Sequence, residues 1–178
     1  MTSTSARLSV AGVIFLALCK MMRQKRARRK CAIVRTLRSK YRIDIGKDAV
    51  ESAERAAKFV ARKIRKVVER KGHARVIFAT GNSQLHFLQA LVSLSSYVPW
   101  DKVECFHLDE YVGLDENHPA SFRKYLKERL FSKVTPAKVH YIEPPPSSTG
   151  GMASMLQSYA ARLREGPIDL ACIGIGEN

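Results

Sequence analysis

A stripe of apolar side chains predicts a long helix near residue 48. Apolar residues recur every three or four positions, at Val50, Ala53, Ala57, Val60, Ile64 and Val67. This spacing places them on one face of a helix. Asp48 and Glu51 have the spacing of a capping box, and Gly72 is a typical helix stop. We predict a helix from Asp48 to Arg70.

Farther along the chain, short apolar runs alternate with segments of helical length and period. Strands are predicted at 74–80, 102–110, 138–144 and 168–176, helices at 85–96, 119–134 and 152–165, a turn at 81–84 and a Pro-rich loop at 144–151. Pro119 has a favourable place in the first turn of its helix. The fourth strand is apolar throughout, which is typical of a central strand. The alternation predicts a three-layer, doubly wound α/β fold of Rossmann-like type, with a mostly parallel sheet covered on both faces.

The positive charge of the chain is concentrated near its amino terminus. Residues 1–43 contain 12 of the 31 Lys and Arg residues and none of the 16 Asp and Glu residues. The rest of the chain therefore has a net charge of only +3, although the whole chain has +15. This balance argues against binding of nucleic acid through net charge. We predict a basic extension over residues 1–43 and one domain over 44–178.

The extension includes an apolar run, residues 8–19. This run is too short to cross a bilayer comfortably, since a spanning helix needs about 20 apolar residues. Three interpretations stay open: a short membrane anchor within residues 8–30, an organelle transit peptide, or a non-native extension from a wrongly chosen start. Apart from this segment we expect no membrane contact and a cytoplasmic location.

The four cysteines, Cys19, Cys31, Cys105 and Cys172, form no CxxC pair. Cys105 and Cys172 lie in apolar runs, and we interpret them as buried reduced thiols. The sequence indicates neither a disulfide framework nor a metal-ligand cluster. We therefore expect a reducing compartment, and no metal or organic cofactor.

Three predicted strands end in polar or glycine-rich sequence, at 79–84, 108–113 and 174–178. A parallel sheet brings these ends to one edge, where α/β proteins bind ligands. In the first, Thr80, Gly81, Asn82 and Ser83 precede a helix, whose free N–H groups and dipole attract anions. Small residues are also ordinary turn formers, so a phosphate site and a simple turn both stay open.

Two adjacent acids, Asp109 and Glu110, end the second of these strands. A half-buried carboxylate there would have its pKa raised by desolvation and could act as a general base. The alternative is structural, with Asp109 capping the following loop and Glu110 pairing with a surface Lys. His107 and His118 could join the site, although such histidines are more often ordinary packed or surface residues.

Four stretches together resemble the glucosamine-6-phosphate deaminase/isomerase family over roughly residues 45–178. They are "ATGNSQ" (79–84), "FHLDEYVGL" (106–114), "HPASFRKYL" (118–126) and "IGIGEN" (173–178). The related 6-phosphogluconolactonases share the fold but typically have Asp-Glu-Arg where this chain has Asp-Glu-Tyr, which argues against that branch. The turn "TGNSQ" departs from the commoner TGGTP and TGSTP, which suggests a side branch whose substrate differs.

The resemblance implies a role for each candidate residue. Asp109 matches the base that moves a proton between C2 and C1 of the opened sugar, with Glu110 as an orienting or structural partner. The turn of Thr80, Gly81, Asn82 and Ser83 matches the segment that helps to hold the substrate's phosphate. Asn178 falls where deaminases often have an Asp associated with ring opening, and we include it as a candidate catalytic residue.

The family continues beyond "GEN" with a His and an acid that take part in ring opening, and with further basic residues for the phosphate. We therefore expect this chain to be the front part of a longer protein and to have little or no activity alone. The expected reaction converts glucosamine 6-phosphate and water to fructose 6-phosphate and ammonia, without a cofactor.

Three alternatives stay open: a lactonase or isomerase acting on another phosphosugar, a sugar-phosphate-binding relative without turnover, and an adaptor that binds a membrane or nucleic acid through its basic tail. We expect a phosphosugar as the ligand and no nucleic acid, and leave a homo-oligomer open.

Overall fold

The computed structural model describes residues 43–144 and 151–174. Residues 1–42 of the predicted extension, residues 145–150 of the Pro-rich loop, and residues 175–178 lie outside the described residues. The chain divides between Ile45 and Gly46 into two units, and the fold described below is that of the second. The predicted domain boundary at residues 43–44 stays a prediction.

The described residues of this unit form one parallel sheet with helices between its strands. The strands are β1 (Ala74–Phe78), β2 (Val103–His107), β3 (Lys138–His140) and β4 (Leu170–Cys172). The helices are α1 (Ala49–Lys71), α2 (Leu85–Ser93), α3 (Phe122–Leu126) and α4 (Met152–Arg164). A π-helical segment, Lys127–Phe131, continues α3, and 3-10 turns occupy Asn82–Gln84, Ser95–Tyr97 and Trp100–Lys102. The predicted α/β class and parallel sheet are confirmed.

Helix α1 has the ends that its sequence predicts. The Asp48 side chain accepts a hydrogen bond from the Glu51 N–H at 2.8 Å. At the other end, Gly72 has a positive φ of 82°, and its N–H donates to the Val68 carbonyl. Glycine reaches this left-handed conformation without a Cβ penalty, which is why it ends helices so often.

The order of the strands in the sheet is β3-β2-β1-β4. From β1 the chain moves outward through β2 to β3, and then returns through α4 to place β4 on the other side of β1. The strand order therefore reverses between β1 and β4. In open α/β sheets, a crevice beyond the carboxyl ends of the strands at such a reversal is the usual ligand site.

The two faces of the sheet are covered by different helices. On one face, Val76 and Phe78 of β1 pack with buried residues of α1 and α2, including Ile64, Leu88 and Leu91. On the opposite face, Tyr159 of α4 lies edge-on to Phe106 of β2, with ring centroids 6.4 Å apart. These contacts give the three predicted layers.

A buried arginine joins α4 to this second face. Arg75 is 3% exposed and binds Glu104 at 2.6 Å. Its guanidinium also donates to the carbonyls of Arg162 and Gly166 at the end of α4. Because a helix leaves its last carbonyls without partners of its own, Arg75 acts as a carboxyl-terminal cap supplied by the sheet.

One prediction about these elements is wrong. Pro119 is not in the first turn of α3, since the helix begins at Phe122, after Ser121 as its N-cap. The Ser121 hydroxyl accepts from the Lys124 N–H, which fixes the helix start three residues later than predicted. Among the described strands β4 pairs with β1, and the central place predicted for the fourth strand stays a prediction.

Candidate active site

A cleft of about 340 Å³ lies at the carboxyl edge of the sheet. The segments after β1, β2 and β4 meet there because Phe78, His107 and Cys172 are in register at the ends of those strands. The lining residues are Ala79, Thr80, Gly81, Asn82, Ser83, Leu108, Asp109, Phe122, Ile173 and Gly174. The structure thus brings Asp109 and the turn of residues 80–83 together, as the strand ends predict.

The turn after β1 opens a helical stretch toward the cleft. Gly81 has a φ of 101°, and its carbonyl accepts from the Gln84 N–H at 3.0 Å. The N–H groups of Asn82 and Ser83 precede this first hydrogen bond of the 3-10 turn, at the open amino end that leads into α2. Backbone donors in this arrangement attract an anionic group.

The segment after β4 closes against this turn. A Cβ built at Gly174 would clash with the Ser83 hydroxyl and lie 2.8 Å from the Gln84 amide nitrogen. A side chain at this position would require the Ser83 and Gln84 side chains to move, so the two segments lie in close contact. The close approach makes the β1 turn and the end of β4 one continuous wall of the cleft.

Asp109 lies on the cleft and is half-buried. Among the described residues, none shares a hydrogen bond or an ion pair with its carboxylate. Burial raises the pKa of Asp109, and the neighbouring Glu110 carboxylate raises it further. A carboxylate without a structural partner and with a raised pKa suits proton transfer. The alternative that Asp109 caps the following loop is wrong for the described part of the chain.

Glu110 is not available for proton transfer, since it is 3% exposed and both of its carboxylate oxygens accept hydrogen bonds. Its carboxylate accepts from the N–H groups of Tyr111, Phe122 and Arg123, and from the Ser121 hydroxyl, at 2.9–3.0 Å. The Arg123 guanidinium pairs with it at 3.3 Å. Burial favours the neutral acid, but the three backbone donors outweigh it and lower the pKa of Glu110. The predicted pairing with a surface Lys is wrong; the partner is the largely buried Arg123.

The two candidate histidines do not line the cleft. His107 is 1% exposed, and neither ring nitrogen has a hydrogen-bond partner among the described residues. Burial lowers the pKa of His107 to about 4, so its ring is neutral at pH 7. His118 is exposed, and its Nδ1 accepts from the Ala120 N–H within the turn that precedes α3. Both are explained as packed or turn residues.

Asn178 lies outside the described residues, so its predicted role stays a prediction. The sequence prediction did not include Phe122 or Ile173 as part of the cleft. Phe122 was placed inside the predicted helix 119–134. In the structure it is the first residue of α3 and lies beside the strand ends. Ile173 was placed inside the predicted strand 168–176, but β4 ends at Cys172, and Ile173 lines the cleft directly after it.

Within the described ranges, no three or more His, Cys, Asp or Glu side chains cluster in a way that could hold a metal ion. No helix in the same part of the chain is long and apolar enough to cross a membrane. The expected cytoplasmic location and the lack of a nucleic-acid partner stay predictions.

Comparison with known proteins relates the chain to one family. Residues 47–178 match the family model described as glucosamine-6-phosphate isomerases/6-phosphogluconolactonase. A glucosamine-6-phosphate deaminase of Staphylococcus epidermidis is 33% identical over 132 residues, which cover 72% of this chain and 54% of that protein. The chain thus spans about half the length of the curated relatives it matches.

Solved structures have the same fold. A 6-phosphogluconolactonase from Shewanella baltica matches with a TM-score of 0.59 and 22% identity, over 72% of this chain and 55% of that one. A monomeric glucosamine-6-phosphate deaminase matches with a TM-score of 0.57 and 21% identity, over 67% of this chain and 48% of that one. At these identities the likeness concerns the fold, and it is about equal for the two activities.

Proposed function

The chain belongs to the glucosamine-6-phosphate isomerase/6-phosphogluconolactonase family, and from this premise we propose that it supplies part of the active site of a glucosamine-6-phosphate deaminase. The reaction would convert glucosamine 6-phosphate and water to fructose 6-phosphate and ammonia. The observation that carries the proposal is the free, half-buried Asp109 carboxylate facing an anion-binding turn across one cleft.

Asp109 has the role of the proton-transfer base. After the sugar ring opens, a proton must leave C2 and a proton must be added at C1, and the two carbons are neighbours. One carboxylate fixed at a strand end can reach both. The raised pKa makes the Asp109 carboxylate a stronger proton acceptor than an exposed one. Glu110 keeps the backbone beside it fixed through its bonds to Tyr111 and Phe122.

The turn of residues 80–83 has the role of a phosphate site. The N–H groups of Asn82 and Ser83 and the hydroxyls of Thr80 and Ser83 supply neutral donors on the same cleft as Asp109. A cleft of about 340 Å³ falls at the small end of the usual range for ligand sites, about 300–1,000 Å³. These donors support an anionic small-molecule ligand such as a phosphosugar.

The assignment within the family rests on Tyr111. It follows Asp109 and Glu110 at the position where the lactonases typically have Arg, and its ring lies 4.8 Å from that of Phe122. An Arg there would bring a positive charge to the cleft rim, whereas Tyr111 brings none. Lactone hydrolysis stays the second candidate, because solved lactonases match the fold equally well.

Assays of the full-length gene product with two substrates separate these candidates. We expect ammonia release from glucosamine 6-phosphate, and no hydrolysis of 6-phosphogluconolactone above the uncatalysed rate. Asp109→Asn should lower ammonia release by about 10²–10⁴-fold. Asp101→Asn, the same change at an exposed Asp remote from the cleft, is the matched control and should keep full activity. Lactone hydrolysis without ammonia release would move the assignment to the other branch.

A further inference from the structure

Helix α3 is bonded to both working parts of the cleft. At its start, the N–H groups of Phe122 and Arg123 donate to Glu110, which directly follows Asp109. One turn later, the Tyr125 hydroxyl donates to the Gly81 carbonyl at 2.8 Å. The helix therefore spans from the carboxylate's strand end to the anion-binding turn.

We propose that Tyr125 is a positioning residue for phosphate, which holds the peptide between Gly81 and Asn82 in the orientation that binds the anion. This inference deepens the proposed function and depends on it. It assigns to Tyr125 a part in substrate affinity, although Tyr125 is not among the residues that line the cleft.

The argument rests on the planarity of the peptide group. The Gly81 carbonyl and the Asn82 N–H belong to one trans peptide unit, so they point in opposite directions and turn together. Fixing the carbonyl oxygen on Tyr125 fixes the direction of the Asn82 donor. The Gly81 carbonyl accepts from two donors, the Gln84 N–H within the turn and the Tyr125 hydroxyl from α3. Gly81 has a φ of 101°, a region where glycine has wide freedom, and the bond from Tyr125 adds an anchor outside the turn to the one inside it.

The surroundings of Tyr125 keep its hydroxyl in place as a donor. Its ring is half-buried and lies under the Arg129 guanidinium, 4.8 Å from the ring centroid. Burial raises the pKa of Tyr125 above its usual value of 10, so the hydroxyl keeps its proton at physiological pH. Removing the hydroxyl alone would leave the contact between the ring and Arg129 intact.

Tyr125→Phe in the full-length protein tests the inference, with Tyr97→Phe as the matched control. Tyr97 is 41% exposed and lies in the 3-10 turn Ser95–Tyr97, away from the cleft. The readouts are the dissociation constants of inorganic phosphate and glucosamine 6-phosphate, KM and kcat for ammonia release, and hydrogen–deuterium exchange of the amides of residues 80–84. The thermal midpoint of each variant checks that it is folded.

For Tyr125→Phe we expect both dissociation constants and KM to rise by about three- to tenfold, the size of effect of one hydrogen bond. The value of kcat should change by less than about twofold, because the chemical step is on Asp109. The amides of residues 80–84 should exchange faster, and Tyr97→Phe should match the wild type throughout.

Two results would overturn the inference in different ways. If the wild type binds phosphosugar and Tyr125→Phe binds it equally well, the Tyr125 role is wrong and the proposed function stands. If the wild type binds neither phosphate nor glucosamine 6-phosphate, the phosphate site itself is wrong and both proposals fall.

Discussion

Glu110 offers a stringent test of how the cleft is built. Replacing it by Gln keeps the shape of the side chain but removes the charge and turns one acceptor oxygen into an NH₂ donor. Glu110 Oε1 accepts from the N–H groups of Tyr111 and Phe122. Glu110 Oε2 accepts from the Ser121 hydroxyl and from Arg123, through both its backbone N–H and its guanidinium. Whichever oxygen is replaced, at least two donors face a donor instead of an acceptor.

The expected loss of stability follows from these contacts. A hydrogen bond to a charged group contributes about 1.5–3 kcal/mol, and breaking a buried ion pair by removing one partner costs about 3–5 kcal/mol. Because Glu110 and Arg123 are largely shielded from water, solvent does not replace the lost contacts. We expect Glu110→Gln to lower the free energy of unfolding by about 3–5 kcal/mol, a large share of the roughly 5–15 kcal/mol of a typical domain.

Equilibrium unfolding in urea at several pH values measures this loss. The folded-state pKa of Glu110 is depressed, so its contribution is present above the unfolded-state value of about 4.5 and is lost as the pH falls through the folded-state value. The gap between wild type and variant should therefore be largest above about pH 5 and shrink in acid. Glu116→Gln, at an exposed residue of the same loop, should have no measurable effect.

The reasoning about Glu110 would be refuted by a loss below about 1 kcal/mol at pH 7. It would also be refuted by a loss that stays constant from pH 7 to pH 3. Either result would mean that the carboxylate is hydrated or replaceable, and that the start of α3 is held by other contacts.

Two further predictions concern buried groups outside the cleft. Arg75→Met should lower the free energy of unfolding by about 3–5 kcal/mol, because Glu104 loses one of its two partners and keeps only His140, and the carbonyls that Arg75 binds after α4 lose their donor. In a double-mutant cycle, Arg75→Met with Glu104→Gln should lose less than the sum of the two single changes, and strict additivity would contradict the pairing. His107 should titrate below pH 5 in an NMR experiment, since burial lowers its pKa to about 4. Stability should then fall by about 3 kcal/mol as the pH drops from 6.5 to 4, because the unfolded chain takes up the proton first; an NMR pKa near 6.5 would contradict the burial.

Local signals made α1 predictable. Its stripe, its Asp48 cap and its Gly72 stop all lie within one stretch of sequence, and the structure uses each of them. The parallel α/β class followed in the same way from alternation of strand and helix patterns. These features depend on contacts between near neighbours in the chain, which sequence patterns represent directly.

The errors arose where distant contacts decide the structure. The start of α3 at Ser121 depends on Glu110, 11 residues away. The Glu110 carboxylate accepts hydrogen bonds from the Ser121 hydroxyl and from the N–H groups of the next two residues. An apolar run indicates burial but does not say which neighbours bury it.

The candidate site was predictable only in part. The coincidence of three strand ends pointed to Asp109 and to the turn of residues 80–83, because parallel strands bring their ends to one edge. The sequence predicted Glu110 as an orienting or structural partner but not its contacts with Ser121 and Phe122. The contact of Tyr125 could not be predicted, since its hydroxyl binds a carbonyl 44 residues away. The resemblance implied Asp109 as the base and Glu110 as its orienting or structural partner, and these roles stay predictions.

Cleavage of the C2–hydrogen bond tests the central claim most directly. The full-length protein is given glucosamine 6-phosphate deuterated at C2, and NMR follows loss of the C2 deuterium as ammonia forms. The account predicts that Asp109→Asn slows this cleavage by about 10²–10⁴-fold, while inorganic phosphate still binds with wild-type affinity. Cleavage at the wild-type rate in Asp109→Asn, or none in the wild type, would contradict it.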